Sequence, residues 1–178
     1  LSLLHRQHES HVAPLLGSWL AMAYSAYYPD LPYDTIVTHS AREVGRELAV
    51  RCPQDPLDGV AIALLLGRLG DERLLTVPAT AAFRARLAEN EPDGHLVVPV
   101  VIAQGLEDAI VLPEVTAEFV AARCNAGEII TFWKAPGQDH LSLVRPGSPL
   151  VAPLIVWTKE RFAQAAAEKV CSETTIAG

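Results

Sequence analysis

The sequence predicts a mixed α/β chain, helical at first and then built on parallel strands, and three observations carry that expectation. Apolar residues recur at three- and four-residue steps between Val12 and Glu89, two β-branched runs occupy Leu96 to Ala103 and Glu128 to Trp133, and a helical segment opened by Pro113 separates those runs. A strand, a helix and a second strand in that order form a βα unit whose strands are parallel and buried. The organisation changes near Asp93-Gly94. Residues 1–93 are therefore expected to be mostly helical and residues 94–178 to form a separate α/β segment.

In the first region Trp19, Leu20, Tyr24 and Tyr27 mark one apolar stripe, and Ile62, Leu65, Leu66 and Leu69 mark another. Few residues there read as strand. Pro29, Pro32, Pro53, Pro56 and Pro78 divide the region into short pieces, for which Asp34, Asp58 and Thr80 are the expected N-caps. The aromatic set Trp19, Tyr24, Tyr27 and Tyr28 is read as core, with an apolar tunnel wall as the alternative, and Leu64, Leu65 and Leu66 carry the same ambiguity.

In the second region Leu96-Val97-Val98-Pro99-Val100-Val101-Ile102-Ala103, bounded by Gly94 and Gly105, reads as a strand buried on both faces. Pro99 is tolerable at the start of a parallel strand, where one missing donor matters little. Pro113 opens a helix carrying Val115, Phe119, Val120 and Arg123, and Gly127 stops it. The run from Glu128 to Trp133 is the second strand, Ala135-Pro136-Gly137 a loop, and Val151 to Ala167 a last helix with Trp157, Arg161 and Phe162.

Composition narrows the function classes. Half of the 178 residues are hydrophobic, enough to bury a sizeable core. A net charge of -7 and a pI near 5.3, with fourteen scattered Lys and Arg, argue against a nucleic-acid partner. No apolar run reaches the roughly 20 residues of a membrane-spanning helix, so no transmembrane segment is expected. The chain opens Leu1-Ser2-Leu3-Leu4 without the marks of a signal peptide, the pattern of a processed or partial chain. Cys52, Cys124 and Cys171 lie too far apart for a zinc ribbon or a redox pair; one disulfide and one odd thiol would fit, with the pairing open.

The chemistry concentrates at two strand ends. Gly105-Leu106-Glu107-Asp108 follows the first strand and Gly137-Gln138-Asp139-His140 the second, placing an acid and a histidine 32 residues apart (140 minus 108). That is the order in which the fold with a Ser…Asp…His triad supplies its last two members. A serine hydroxyl needs a base within hydrogen-bond reach, and the base needs a carboxylate to hold its tautomer. Asp108 and His140 are the candidate catalytic pair; the plainer readings are a turn-capping aspartate and a surface histidine. Glu107 competes with Asp108 for the acid role, and Asp139, adjacent to His140, ranks lower because neighbouring side chains in an extended loop diverge.

No Gly-x-Ser-x-Gly elbow occurs in the chain. Ser10 and Ser25 lack flanking glycines and follow no strand, while Ser142 and Ser148 come after the histidine. His5, His8 and His11 are spaced i, i+3 and i+6, which turns the third away from the first two, so no metal is assigned, and no cofactor is expected.

The segments Val98-Pro99-Val100-Val101-Ile102-Ala103-Gln104-Gly105-x-x-Asp108, Pro113-Glu114-Val115-Thr116-x-x-Phe119-Val120-x-x-x-Cys124-x-x-Gly127, His140 and Trp157-x-x-x-Arg161-Phe162 resemble the C-terminal third of the secretory lipase (yeast lipase A-like) family of α/β-hydrolases. More weakly, Gly17-Ser18-Trp19-Leu20, Tyr28-Pro29-Asp30-Leu31 and Cys52 resemble that family's helical cap. The resemblance implies the C-terminal portion of an α/β-hydrolase fold, its last parallel strands and helices, preceded by a cap or lid over residues 1–93. It also implies secretion, an ester or lipid substrate, Asp108 as the acid and His140 as the base, and a missing N-terminal half bearing the nucleophile. The competing expectation is a non-catalytic hydrolase-derived fragment or binding module. A strand deprived of a sheet neighbour is expected to self-associate through its exposed edge.

Overall fold

A computed structural model describes residues 12–76, 80–92, 94–96, 98–166 and 168–176. The chain divides into two compact units, Leu1–Pro92 and Asp93–Gly178. Among the described residues the secondary structure is mixed, with seven α-helices and one small parallel sheet. No helix among them is long and apolar enough to cross a membrane.

The first unit contains α1 (Ala13–Tyr27), α2 (Tyr33–Ile36), α3 (Arg42–Ala49), α4 (Pro56–Leu69) and α5 (Ala81–Glu89). Their core joins Leu15, Leu31, Ile36, Leu48, Ile62 and Phe83. The buried face of α1 is not the bulky stripe expected from its aromatics: Leu15, Gly17, Ser18 and Ala21 are buried, whereas Tyr27 is 78 % exposed. α1 packs mainly against α3, the small Gly17 lies against Leu74 and Leu75, and Trp19, Leu20 and Tyr24 sit at the border of the core. Tyr24 stacks edge-on against Phe83 with ring centroids 6.0 Å apart and packs beside Tyr28. In α4 Ile62, Leu65 and Leu69 are buried and Leu64 is exposed, as a helix with one covered face requires.

Of the three expected N-caps, Thr80 takes that role, its hydroxyl accepting from the Phe83 amide. The cap of α4 is Asp55 and not Asp58; its carboxylate accepts from the Leu57 and Asp58 amides. Pro56 is the cause, because its fixed φ and missing N–H suit the first helical position and place the cap one residue before it. Asp58 instead accepts from the Cys52 amide and the Arg51 guanidinium. Asp34 lies inside the first turn of α2, again after a proline, Pro32. Pro78 lies outside the described residues.

The second unit contains β1 (Val100–Gly105), α6 (Pro113–Asn125), β2 (Ile130–Ala135), α7 (Val151–Phe162) and β3 (Ser172–Thr175). The strands lie in the order β1-β2-β3 and all pair in parallel, Val100 beside Ile130, Gly105 beside Ala135 and Thr131 beside Ser172. Alternate side chains divide between two faces. Ile102, Ile130 and Phe132 pack with Val120 of α6, whereas Ala103, Trp133 and Ala135 pack with Leu154 and Trp157 of α7.

Both expected strands begin later in the sequence than their apolar runs. β1 starts at Val100, after Pro99; Leu96 and Val98 are exposed, and Val97 lies outside the described residues. β1 is half-buried over Val100 to Ala103 instead of buried on both faces; among the described residues it is the edge of the sheet, with a ladder on one side. β2 starts at Ile130 because Glu128, although buried, is bound to Arg123 of α6, with Arg123 Nε 2.9 Å from Glu128 Oε2. The last helix stops at Phe162 instead of Ala167; Gln164 adopts φ 56°, a left-handed conformation that ends a helix. The short polar strand β3 that follows was not expected. A disulfide between Cys124 on α6 and Cys171 ties its start to that helix, and Cys52 is free and exposed.

Candidate active site

The loops after β1 and β2 leave the carboxyl ends of neighbouring parallel strands, the position from which side chains project beyond a sheet. They are bonded to each other. The Leu106 amide donates to the Ala135 carbonyl at 3.0 Å, and the Glu107 amide donates to the Gln138 carbonyl at 3.0 Å. Gly105 makes this approach feasible: a Cβ there would overlap the Gln138 carbonyl oxygen and lie 3.1 Å from the Asp139 oxygen. Only glycine can end β1 so close to the second loop.

Asp108, 6 % exposed, sits three residues beyond that glycine. Its Oδ1 accepts from the amides of Ile110 and Val111, each at 2.8 Å, so the carboxylate closes its own turn. Its Oδ2 faces the other way and accepts from Nδ1 of His140 at 3.0 Å. The turn-capping and histidine-pairing roles are thus both performed, by different oxygens of one carboxylate. The same Oδ2 is 3.3 Å from Nε2 of Gln104, a buried residue of β1 that also donates to the carbonyls of Gly105 and Val111.

His140 reaches Asp108 from a rigid turn. Asp139 Oδ1 accepts from the amides of Leu141 and Ser142, at 2.9 and 2.7 Å, and the Asp139 amide donates to the Ser142 hydroxyl at 2.8 Å. The Ser142 amide, then the Leu141 amide and the Ser142 hydroxyl, hold the Asp139 carboxyl below the usual carboxylate range. Asp139 thus fixes the 3-10 turn Ser142–Val144 and is committed to it. Glu107 is exposed. Of the three acids near the two strand ends, Asp108 is the one whose side chain contacts the imidazole.

With Nδ1–H committed to Asp108, the lone pair of neutral His140 lies on Nε2, on the far edge of a side chain that is 41 % exposed. An imidazole so held can take a proton at Nε2 and return it, with Asp108 stabilising the cation between those events. The serine hydroxyls nearby serve the backbone: Ser142 as above, and Ser148 by donating to the Leu143 carbonyl at 2.6 Å. Ser25 donates to the Met22 carbonyl within α1. Ser10 and the series His5, His8 and His11 lie outside the described residues, among which no cluster of three His, Cys, Asp or Glu could hold a metal ion.

The sequence reading missed Gln104. The signal available was a lone polar side chain at the end of the apolar run Val100 to Ala103, followed by the loop glycine. It also missed the Arg123–Glu128 pair at the opposite end of the strands, which binds the backbone leading into β1: Glu128 Oε1 accepts from the Leu96 amide at 3.3 Å, and Arg123 donates to the Gly94 carbonyl.

Compared with protein-family models, with curated proteins and with solved structures, the chain matches none.

Proposed function

We propose that this chain is the C-terminal part of a serine-dependent lipase or carboxylesterase, with Asp108 as the orienting acid and His140 as the general base and acid. One observation carries the reading: Asp108 Oδ2 and His140 Nδ1 lie 3.0 Å apart at the carboxyl ends of adjacent parallel strands. The order, acid then histidine on successive strands, is that of α/β-hydrolases, and the quoted motifs resemble the secretory lipase family. In this account His140 Nε2 takes the proton from a serine on a Gly-x-Ser-x-Gly elbow outside the chain, and the alkoxide attacks the ester carbonyl. The imidazolium then protonates the leaving alcohol, and water, deprotonated by the same nitrogen, releases the acid from the acyl-enzyme. The oxyanion donors belong to that outside part.

The first unit is proposed as the helical cap. A secreted location is proposed as well, supported by the Cys124–Cys171 disulfide, a bond that persists in oxidising compartments. The edge position of β1 supports two further readings: that the sheet continues onto strands supplied from outside, and that the chain by itself self-associates there. The competing reading, a non-catalytic fragment or binding module, is favoured by the lack of a nucleophile elbow in the sequence. Testing p-nitrophenyl esters and aminoacyl amides with the full reading frame, alongside His140→Ala, decides among them. Ester cleavage abolished by the substitution supports the lipase reading. Preference for amides would make the protein a peptidase, and no turnover of either would leave the binding module.

A further inference from the structure

Gln104 occupies the next-to-last residue of β1 and is buried, and of its four hydrogen-bond partners three are acceptors. Its Nε2 donates to the Gly105 carbonyl at 2.9 Å and the Val111 carbonyl at 3.0 Å, and lies 3.3 Å from Asp108 Oδ2. Three surrounding acceptors settle which end of the amide is nitrogen. The other end, Oε1, accepts from the Thr116 hydroxyl of α6 at 2.7 Å. The amide therefore spans the whole Asp108 loop: Gly105 and Val111 are its two ends, Asp108 its middle, and Thr116 the helix behind it.

The two amides bind Asp108 through Oδ1, and Oδ2 has its own partners, His140 Nδ1 at 3.0 Å and Gln104 Nε2 at 3.3 Å. Nε2 has two hydrogens and three acceptors around it, so one N–H is shared between a carbonyl and Oδ2, and that shared bond is a second point on Oδ2. A bond from Thr116 to the amide oxygen also polarises the amide and strengthens its donor end, an effect that a low-dielectric site enhances.

We propose that Gln104, backed by Thr116, is a positioning residue that aims Oδ2 of Asp108 at Nδ1 of His140 and thereby sets the imidazole tautomer. The assignment rests on the Asp108–His140 pair of the proposed function, yet it can be tested without turnover. Neutral histidine in water favours the Nε2–H form, whereas a base for serine must carry its proton on Nδ1. The 15N shifts of His140 in histidine-labelled chain, at a pH where the ring is neutral, report the ratio of the two forms.

The expected result is an Nδ1–H ring in the unsubstituted chain, loss of that form in Asp108→Asn, and partial loss in Gln104→Met, which keeps length and burial but donates nothing. Thr116→Val should reproduce the partial loss and Thr116→Ser should restore the original ratio, a rescue that packing alone does not give. If Gln104→Met fails to fold, the Thr116 pair still decides. Loss in Asp108→Asn with an unchanged ratio in Gln104→Met and Thr116→Val overturns the Gln104 assignment alone. An unchanged ratio in Asp108→Asn overturns it together with the pairing on which the hydrolase reading stands. Failure of the full reading frame to cleave esters, with the tautomer following these substitutions, would reject the reading and leave the positioning role in place.

Discussion

Asp108 and His140 meet at 3.0 Å although each belongs to a loop already closed by backbone amides donating to an aspartate carboxylate, Asp108 in one and Asp139 in the other. The contact therefore joins two structured turns, and its geometry depends on how near β1 and β2 bring them.

That nearness depends on Gly105. In Gly105→Ala the new methyl would meet the Gln138 carbonyl group, whose carbon lies 2.9 Å from the Cβ position, and backbone cannot yield as a flexible side chain does. We expect a loss of about 2 kcal/mol, in the range of overpacked sites. Urea unfolding checks it, and an unchanged midpoint would show that the loops part freely.

The acid side of the stability profile follows from two carboxyls. The Ser142 and Leu141 amides hold Asp139 low. Burial pushes Glu128 up, but the Arg123 hydrogen bond, the Leu96 amide and the charges of Arg123 and His95 outweigh it, and the net position is below the usual range. Folded values below unfolded ones mean that the stabilisation is fully present above the unfolded range of about 4 and is lost as pH falls through the folded values. Asp139→Asn should therefore be less stable than the unsubstituted chain at neutral pH and converge with it in strong acid. Urea midpoints across that range would show the convergence.

The disulfide is the covalent link holding β3, a four-residue strand of mostly exposed side chains. Its cysteines are 47 residues apart, and the chain-entropy relation assigns a loop of that length about 4 kcal/mol. Cys171→Ser is expected to lose most of this and to speed amide exchange over residues 172–175 before other strands. Uniform exchange across all three strands would contradict a selective release.

Asp55→Ala should destabilise the chain by about 1 kcal/mol, since it removes the cap of α4. Asp34→Ala removes exposed ion pairs to Arg42 and Arg46 and should cost at most about half as much. Thermal unfolding of the two variants separates a cap from a surface acid.

Those assignments show what a single sequence discloses. Pro113 and Gly127 bracket α6 with local chemistry alone, and the structure starts that helix at Pro113 and gives Gly127 a left-handed φ of 85°. Asp55 was also legible in principle, for the proline after it marks a helix start as strongly as the acids do. Gln104 showed only as a lone polar residue ending an apolar run: its partners, two carbonyls, a carboxylate and a hydroxyl, lie on the Asp108 loop and α6, and nothing in the composition of β1 reveals them. β3 escaped because Ser172-Glu173-Thr174-Thr175 lacks an apolar face; a ladder to β2 and a disulfide make it a strand. The proximity of Asp108 and His140 follows from parallel strand ends, whereas the loop-to-loop bonds and the glycine that permits them emerged only in three dimensions.

A catalytic Asp108–His140 pair is tested most directly by kcat/KM for a p-nitrophenyl ester, measured on the full reading frame with and without His140→Ala and Asp108→Asn. It predicts a fall of roughly 10⁴-fold or more for each, the scale on which triad members act together. Hydrolysis that survives His140→Ala undiminished would contradict it.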